Sequence, residues 1–400
     1  MSAPAPRTLP LSLFVVSAPG LEPMVAQEIE ALTCPQAELS VTEGGVALRG
    51  DLRTLYALNL QLGLALKVLL RMGEFPARRF DTLVKRVAEL PWETWLTADM
   101  PLLLRAQCKQ SKLYHSGAVT ERIAMGISER LGKPITRVQN EEDGSALTIQ
   151  ARLVHDVCTL SIDSSGELLH RRGYRKATGK APLREDLARA LIRASGWDGV
   201  APLCDPMAGS GTIAIEADWL SRNVPPGHMR SFSFMASPNY DSALFMRLRQ
   251  QALDQMRPLG APIAASDRDE GAVRAMRDNA ARAGSTAIQI SKAPLTSAPW
   301  LLKPPERRLY VVTNPPYGKR IGEDASVGRL YHALGEKLGA LPIPSVLAMA
   351  VANPEHAYAT RLPLKPVLMT DHGGSKIYFS VGGYTLSAEA ESYNGTHAIR

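Results

Sequence analysis

The spacing of apolar positions divides the chain into three parts, and the first covers about residues 10–70. Residues 13–16 predict a strand, and the apolar face of residues 20–32 predicts a helix. A second strand is predicted at residues 46–48 after a Gly-Gly turn, and residues 52–70 predict a further helix. This part is therefore expected to be a small α+β unit.

The second part covers about residues 75–165 and has the same mixed character. Residues 102–108 predict a strand, and residues 117–131 predict a helix because apolar side chains recur there at helical spacing. Polarity alternates along residues 146–151 and 158–162, which predicts two more strands.

In the third part, about residues 180–390, apolar strand-like runs alternate with helical patterns. This alternation predicts an α/β fold with a mostly parallel, doubly wound sheet. The predicted strands are residues 200–205, 261–267, 287–291, 309–313, 345–351 and 377–381. The clearest helices between them are residues 212–220 and 270–283, and an insertion is expected at about 221–258.

Length and charge add only broad limits. A chain of 400 residues is too long for one ordinary domain, and its 45% hydrophobic and 21% charged residues are usual for a soluble globular protein. A formal net charge of +7 suits a partner made of phosphates, although a basic surface also serves solubility.

The cysteines and apolar runs argue against several classes of protein. Cys34, Cys108, Cys158 and Cys204 are scattered singly, so neither a metal site nor a disulfide framework is expected. No run of about 18 apolar residues predicts a transmembrane helix, so no membrane association is expected. The apolar start at residues 9–18 is cut by Pro10 and makes a poor signal peptide. These features together point to the cytoplasm.

A glycine-rich turn follows the strand at residues 200–205 and leads into a helix. Glycines there let the backbone approach a ligand closely, and the free amides of the helix start favour a carboxylate or a phosphate. Residues 209–214 also fit the loose dinucleotide fingerprint, so the turn alone leaves two cofactor classes open; a P-loop is excluded because no Gly-Lys-Ser/Thr follows. The predicted cofactor contacts in this turn are Asp205, Pro206, Ala208, Gly209, Gly211 and Thr212.

The position of the next strand end favours S-adenosylmethionine. A dinucleotide fold needs an acidic residue about 20 residues after its turn. The next convincing strand ends at Asp267, far beyond that distance. A carboxylate at Asp267 can accept both ribose hydroxyls of the cofactor, whereas Asp269 is better placed to cap the helix that follows.

A second motif, Asn314, Pro315, Pro316 and Tyr317, follows the strand at residues 309–313. The two prolines make the turn rigid. The Asn314 side-chain oxygen and the Pro315 carbonyl can then accept two hydrogen bonds from one amino group. A nucleobase amino group is a poor nucleophile, and two acceptors would stabilise the positive charge that develops on it during attack on a methyl donor. Tyr317 would stack on a base that has swung out of its helix. These four residues are the predicted catalytic group, and Asn314 is also a predicted cofactor contact.

These motifs resemble a known family, the THUMP-domain-containing class I RNA methyltransferases, and within it the bacterial group that methylates guanine N2 of 23S ribosomal RNA. Members of that group often carry the label N6-adenine-specific DNA methylase. The resemblance covers nearly the whole chain. It rests on residues 112–119 (Lys-Leu-Tyr-His-Ser-Gly-Ala-Val), 173–175 (Gly-Tyr-Arg), 181–185 (Ala-Pro-Leu-Arg-Glu), 205–212, Asp267 and 314–318, with the start of an insertion at 225–228.

The resemblance implies a domain plan. A ferredoxin-like domain is expected at residues 10–72 and a THUMP RNA-binding domain at 73–166. A basic linker would follow at 167–180, and a Rossmann-like methyltransferase domain at 181–390. The resemblance also implies that Pro182 and Leu183 contact the S-adenosylmethionine.

One departure from the family pattern lies after the third strand of the methyltransferase domain. The family usually has an aspartate there that binds the adenine amino group of the cofactor, whereas residues 291–295 are Ser-Lys-Ala-Pro-Leu. A serine or a backbone carbonyl would have to substitute, or affinity would fall. The loss of one such bond costs about 1 kcal/mol, which weakens binding without abolishing it.

Two groups of basic residues are candidates for binding RNA phosphates. Such contacts supply affinity without sequence choice, and an ordinary solvated surface explains the same charges equally well. The first group is Lys109, Lys112 and His115, and the second is Arg171, Arg172, Arg175 and Lys176.

The sequence therefore predicts an RNA methyltransferase that uses S-adenosylmethionine and acts on guanine N2, in 23S ribosomal RNA or a large-subunit assembly intermediate. Adenine N6 methylation of RNA or DNA stays open because the motif serves both amines equally. A tRNA substrate is a close variant. A third alternative is an RNA-binding assembly factor with a degenerate methyltransferase domain, and only the missing acid at residues 291–295 supports it.

Overall fold

The computed structural model describes residues 10–33, 38–139, 146–176, 183–258, 260–317 and 324–384. The chain forms two compact units. Unit 1 contains the chain up to Ala18, Glu22–Leu169 and Pro226–Asp254, and unit 2 contains Pro19–Leu21, His170–Pro225 and the chain from Gln255 onward.

Helices and strands follow one another along the chain as follows. The first twelve are β1 (Leu11–Ser17), α1 (Glu22–Leu32), β2 (Ser40–Thr42), β3 (Gly45–Gly50), α2 (Leu52–Gln61), β4 (Ala65–Pro76), α3 (Phe80–Ala88), β5 (Pro101–Lys109), α4 (Ser116–Leu131), β6 (Thr136–Val138), β7 (Leu147–Val154) and β8 (Val157–Asp163). The others are α5 (Glu185–Ala194), β9 (Leu203–Asp205), α6 (Thr212–Ser221), α7 (Ser242–Asp254), β10 (Ile263–Asp267), α8 (Glu270–Arg282), β11 (Gln289–Lys292), α9 (Pro299–Leu302), β12 (Leu309–Thr313), α10 (Asp324–Gly339), β13 (Ser345–Val351), α11 (Pro354–Ala357), β14 (Lys365–His372) and β15 (Ser375–Tyr384).

Unit 1 is built on one continuous sheet with the strand order β2-β3-β1-β4-β8-β7-β5-β6. The long strand β4 pairs with β1 on one side and with β8 on the other, so the two α+β parts of the sequence share a single sheet. The boundary expected between residues 72 and 73 falls inside this strand.

The helix predicted at residues 52–70 is wrong in its second half. Helix α2 ends at Gln61, and β4 begins at Ala65. The Glu28 carboxylate accepts hydrogen bonds from the amides of Gly63 and Leu64, at 3.0 and 2.9 Å, and so holds the turn between the two elements. Because β4 lies in the middle of the sheet, its apolar run resembles a buried helix in sequence.

Most of the insertion expected at about residues 221–258 belongs to unit 1. The chain leaves unit 2 at Pro225 and returns to it at Gln255. Phe234 stacks on Tyr56 of α2 with ring centroids 4.5 Å apart, and the Tyr56 hydroxyl accepts a hydrogen bond from the Asp241 amide at 3.0 Å. Phe232, Tyr240 and Phe245 also belong to this aromatic cluster, which explains why the segment packs on α2.

Unit 2 has the predicted doubly wound architecture. Its sheet has the order β11-β10-β9-β12-β13-β15-β14, and the strands from β11 to β13 run parallel. Strand β15 is antiparallel between β13 and β14. Strands β12 and β13 have the predicted bounds, whereas β14 was not predicted. Within the described ranges, no helix is long and apolar enough to cross a membrane.

Candidate active site

Three neighbouring strands of unit 2 end at one edge of the sheet, and the candidate residues follow them directly. Strand β9 lies between β10 and β12 and ends at Asp205. The carboxyl ends of parallel strands at such a point form the usual ligand crevice of doubly wound sheets. The glycine-rich turn, Asp267 and Asn314 are therefore brought together, although they are far apart in sequence.

Hydrogen bonds fix the glycine-rich turn to both neighbouring strands. Its Ala208 amide donates to the Ser266 carbonyl at 2.9 Å, and its Gly209 amide donates to Asp267 Oδ2 at 2.9 Å. On the other side, the Thr313 hydroxyl at the end of β12 donates to Asp205 Oδ1 at 2.7 Å. The turn therefore has little freedom to move relative to β10 and β12.

The two glycines of the turn have different roles. Both have positive φ, 54° at Gly209 and 84° at Gly211. A Cβ at Gly211 would lie 2.5 Å from Met276 Cγ, so close packing demands glycine there. A Cβ at Gly209 would meet no described atom within 4 Å, so this side of the turn faces open space. Gly209 thus leaves room for a ligand to approach the backbone.

The start of α6 offers hydrogen-bond donors that suit the methionine carboxylate of S-adenosylmethionine. Gly211 is the N-cap residue and supplies no side chain, so the first amides of the helix are left for a ligand. The Ser210 hydroxyl is buried and has no hydrogen-bond partner among the residues that the structure describes. These donors fit an anionic group beside the turn.

Asp267 is suited to the cofactor ribose. Its Oδ2 accepts from Gly209, and its Oδ1 accepts from the Asp269 amide at 2.9 Å. Because each carboxylate oxygen offers two lone pairs, one acceptor site remains on each for a ribose hydroxyl. Asp269 caps α8 by accepting from the Ala272 amide at 2.8 Å, as predicted.

Asp205 joins the two motifs. Its side chain is 1% exposed, and Oδ1 accepts both from Thr313 and from the Met207 amide at 3.1 Å. Burial raises the pKa of this carboxyl to about 7. In the structure the Asp205 carboxylate thus holds the glycine-rich turn against the end of β12, and its predicted contact with the cofactor stays a prediction.

The Asn-Pro-Pro-Tyr turn is held by two tyrosines. The Tyr317 hydroxyl donates to Asn314 Oδ1, and the Tyr331 hydroxyl on α10 donates to the Pro316 carbonyl at 2.9 Å. Burial raises the pKa of Tyr317 well above its ordinary value, so its hydroxyl remains a donor at neutral pH. Tyr331 was not predicted from the sequence, because only the fold brings α10 to this turn. Gly318, the last residue of the motif, lies outside the described residues.

Of the two cofactor contacts implied in front of α5, Pro182 lies outside the described residues. Leu183 is buried, and its carbonyl accepts from Arg175 Nη2 at 2.9 Å. Arg175 also forms an ion pair with Glu185 at 3.0 Å. Through these two contacts Arg175 holds the segment in front of α5. Its side chain is only 11% exposed, so little of the guanidinium is accessible for the predicted contact with RNA.

The prediction for Arg172 is corrected by its burial. Its side chain is 1% exposed and forms an ion pair with the fully buried Glu216, at 3.4 Å. Arg189 binds the same carboxylate at 2.9 Å, and the Tyr174 hydroxyl donates to it at 3.2 Å. A guanidinium in this position has no surface to offer an RNA phosphate. The other two members of the junction group, Arg171 and Lys176, are exposed.

The predicted group in the second part of the chain is at the surface. Lys109, Lys112 and His115 are exposed. His115 also caps α4, because its Nδ1 accepts from the Ala118 amide at 3.1 Å. Between them, Tyr114 is 81% exposed, a value unusual for an aromatic side chain. Tyr114 belongs to the motif at residues 112–119 that supports the family resemblance. Only the structure shows that this side chain is exposed among basic residues.

The segment after β11 has no carboxylate for the cofactor adenine. Lys292 forms an ion pair with Glu270 at 3.1 Å, and the buried Ala293 donates its amide to the Asp267 carbonyl at 3.0 Å. This amide bond ties the segment to the residue that is suited to the ribose.

Comparison with protein-family models gives three consecutive matches. The RlmL ferredoxin-like domain matches residues 12–69, the THUMP domain residues 77–163 and the RMKL-like methyltransferase domain residues 172–360. The putative RNA methyltransferase slr0064 of Synechocystis is 34% identical over 328 residues, which cover 81% of this chain and 84% of the relative. The chain belongs to the THUMP-domain-containing RNA methyltransferase family. This membership confirms the predicted family, the fold class and S-adenosylmethionine as the cofactor.

The chain is also similar to a longer relative and to solved structures. The ribosomal RNA large subunit methyltransferase K/L of Syntrophotalea carbinolica is 35% identical over 87% of this chain, and the chain spans about half the length of that relative. A possible methylase from Clostridium difficile 630 superposes with a TM-score of 0.85 at 28% identity, covering 94% of this chain and 99% of the other. SMU.472, described as a putative methyltransferase complexed with SAH, superposes with a TM-score of 0.83 at 27% identity, covering 95% of this chain and 99% of the other.

Proposed function

We propose that this protein transfers a methyl group from S-adenosylmethionine to N2 of a guanine in 23S ribosomal RNA. The observation that carries the proposal is the placement of Asn314 beside the glycine-rich turn, through the bond between Thr313 and Asp205. The turn supplies the cofactor side of the reaction, and Asn314 supplies an acceptor for the amino group that attacks.

Bound S-adenosylmethionine would supply an electrophilic methyl group on a sulfonium. This methyl group would pass to the attacking amino nitrogen with S-adenosylhomocysteine as the leaving group, and the extra proton on the nitrogen would go to water. Asn314 Oδ1 and the Pro315 carbonyl orient the amino group and stabilise its developing positive charge. No general base is assigned, because the methylated amine carries an acidic proton until it is released.

Tyr317 fits this scheme in two ways. Its hydroxyl bond to Asn314 Oδ1 holds the side-chain amide in one orientation. An amide oxygen has two lone pairs, so Oδ1 can accept from Tyr317 and from a base amino group at the same time. The ring is half-buried and remains the candidate for stacking on the target base.

The choice of RNA and of guanine has separate support. A THUMP domain with exposed Lys109, Lys112 and Tyr114 suits an RNA partner. Several relatives are named ribosomal RNA large subunit methyltransferase K/L, which favours 23S ribosomal RNA over tRNA. Guanine rests on the family resemblance alone, since the Asn-Pro-Pro-Tyr turn serves guanine N2 and adenine N6 equally.

Nucleoside mass spectrometry tests the proposal. A deletion strain should lose N2-methylguanosine from a fragment of 23S ribosomal RNA, and the wild-type gene should restore it. Asn314→Ala should fail to restore it, whereas Asn239→Ala, the same change at an exposed asparagine, should succeed. Loss of N6-methyladenine with N2-methylguanosine intact would replace guanine by adenine in the proposal.

The second candidate is an RNA-binding factor without activity, and the missing acid at residues 291–295 favours it. Open space at Gly209 and the Ser210 hydroxyl, which has no partner in the described part of the chain, favour a site that still binds its cofactor. Calorimetry with S-adenosylmethionine separates the two. Binding heat supports the methyltransferase, and no heat at high micromolar cofactor supports the inactive factor.

A further inference from the structure

A buried asparagine outside the predicted motifs contacts the glycine-rich turn. Asn279 lies near the end of α8 and is fully buried. Its Nδ2 donates to the Ser210 carbonyl at 3.1 Å, and its Oδ1 accepts from Arg282 Nη2. Ser210 lies between Gly209 and Gly211. Asn279 therefore contacts the backbone where the two glycines restrict its conformation least.

Arg282 continues the connection away from the turn. Its Nε donates to the Tyr174 carbonyl at 2.8 Å. The Tyr174 ring packs edge-on against Trp219 of α6, with centroids 5.2 Å apart, and the Tyr174 hydroxyl donates to Glu216 of the same helix. Since α6 starts where the glycine-rich turn ends, these contacts close a loop that returns to the turn.

The peptide between Ser210 and Gly211 is bonded at both ends. Its carbonyl accepts from Asn279, and its N–H, on Gly211, donates to the Ala208 carbonyl at 2.8 Å. A glycine at positive φ allows several orientations of the neighbouring peptide, so external bonds must select one. The next amides along the chain, at Thr212 and Ile213, belong to the first turn of α6 and would be the donors for a cofactor carboxylate.

We propose that Asn279 and Arg282 are positioning residues for S-adenosylmethionine. Asn279 holds the Ser210–Gly211 peptide in the orientation that aims the first amides of α6 at the cofactor. Arg282 holds the Asn279 side chain so that Nδ2, and not Oδ1, faces the turn. The inference rests on the proposed function only through its cofactor.

Binding of S-adenosylmethionine measured by calorimetry is the primary test. Asn279→Ala should raise the dissociation constant by about tenfold, because the peptide it holds becomes free to reorient. Asn279→Asp keeps an acceptor for Arg282 but turns a carboxylate oxygen toward the Ser210 carbonyl, so affinity should fall at least as far. If Asn279→Asp binds as tightly as wild type, the bond to Ser210 is irrelevant and the proposal is overturned.

Arg282→Ala should raise the dissociation constant by a smaller factor, about threefold, since Asn279 keeps its own hydrogen bond to the Ser210 carbonyl. The double variant should then bind about as weakly as Asn279→Ala, because both changes remove one arrangement. Arg277→Ala is the matched control: it removes the same charge from an exposed position of α8 and should leave affinity unchanged. If the double variant instead raised the dissociation constant by the product of the two single-variant factors, Arg282 and Asn279 would act independently, and the assigned role of Arg282 would be wrong.

Two readouts separate positioning from a general loss of structure. In a positioning role, the KM for S-adenosylmethionine rises while kcat at saturating cofactor stays within about twofold, and the binding stoichiometry stays at one. Partial unfolding would instead lower the stoichiometry and kcat together and leave KM unchanged, which would overturn the proposal. Wild-type protein that binds no cofactor would refute the proposed function itself, whereas unweakened Asn279 variants would refute only this inference.

Discussion

The junction and the THUMP domain both carry a run of basic residues in sequence, and the structure treats the two runs differently. At the junction, Arg172 and Arg175 turn inward and pair with Glu216 and Glu185. In the THUMP domain, Lys109 and Lys112 remain exposed. Positive charges that are close in sequence thus support the fold in one place and are open to a partner in the other.

The difference follows from the carboxylates that the fold supplies. Glu216 and Glu185 are both buried, and a buried carboxylate needs a cation with several donors, which arginine provides through its planar guanidinium. A local charge count misses Glu216, which lies 44 residues after Arg172. A run of basic residues is therefore evidence for RNA binding only where the fold does not pair those residues with buried carboxylates.

The largest effect is expected at Arg172. Arg172→Met leaves Glu216 short of one buried partner and should lower the free energy of unfolding by about 3 kcal/mol. Arg274→Met, the same change at an exposed position of α8, should cost little. Urea denaturation measures both. If Arg172→Met were as stable as wild type but bound RNA more weakly, the assignment of Arg172 to the fold would be wrong.

Glu185 gives a pH signature of the same junction. Burial raises the pKa of its carboxyl to about 7, while nearby Arg175 and Arg172 oppose that rise. A raised pKa means that the folded protein holds the proton longer than the unfolded chain. The stability from Glu185 is thus complete below about pH 4.5 and is lost as the pH rises through 7.

Glu185→Gln should remove this dependence. The difference in free energy of unfolding between wild type and variant should change by up to about 1.4 kcal/mol per pH unit between pH 5 and 7. Taking this difference cancels the contribution of His170, which is the same in both proteins. Burial lowers the pKa of His170 to about 3, so its contribution to stability changes with pH in the opposite direction. Parallel stability curves for the two proteins would show that Glu185 does not titrate in this range.

On the exposed side of the comparison, Tyr114 should contribute most to RNA affinity. Tyr114→Ala should weaken binding about tenfold, because stacking of one base on an aromatic ring is worth about 1–3 kcal/mol. Tyr114→Phe keeps the ring and should bind like wild type. Filter binding to 23S fragments measures both variants, and equal affinity of all three proteins would remove Tyr114 from the interface.

The smallest effect concerns Lys109 and Lys112. Changing both to Gln should weaken RNA binding several-fold and lower the slope of log affinity against log salt by about 1–2. Lys85→Gln, at an exposed position on α3, is the control and should leave the slope unchanged. Stability should stay the same in all three proteins, in contrast to Arg172→Met. An unchanged slope in the double variant would mean that these lysines form an ordinary solvated surface.

The sequence predicted the parts of the site that depend on local order. A buried strand, a glycine-rich turn and a helix follow one another within about 20 residues, and Asn314–Tyr317 directly follows another strand. Because the strands of this sheet are parallel, the turns that follow them lie at the same edge of the sheet, and the strand pattern alone predicts this. Residues that act across long separations stayed hidden: Asn279 reaches Ser210 from 69 residues away, and Tyr331 reaches Pro316 from the next helix.

The fold was predictable to a similar extent. Strands β12 and β13 were predicted with their bounds, because buried parallel strands are short apolar runs between clear turns. Residues 65–70 were assigned to a helix, since the Glu28 carboxylate that ends α2 comes from a different helix. The packing of residues 226–254 on α2 depends on aromatic contacts that no periodicity shows.

The continuous sheet of unit 1 sets limits on how the chain can be shortened. Strand β4 has neighbours on both sides, so a fragment that stopped before it or began after it would expose unpaired backbone amides and carbonyls along a long edge. Such edges recruit strands from other molecules and lead to aggregation. The ferredoxin-like and THUMP regions are therefore best treated as one inseparable piece, to be expressed, swapped or deleted together and with the 226–254 segment that covers α2.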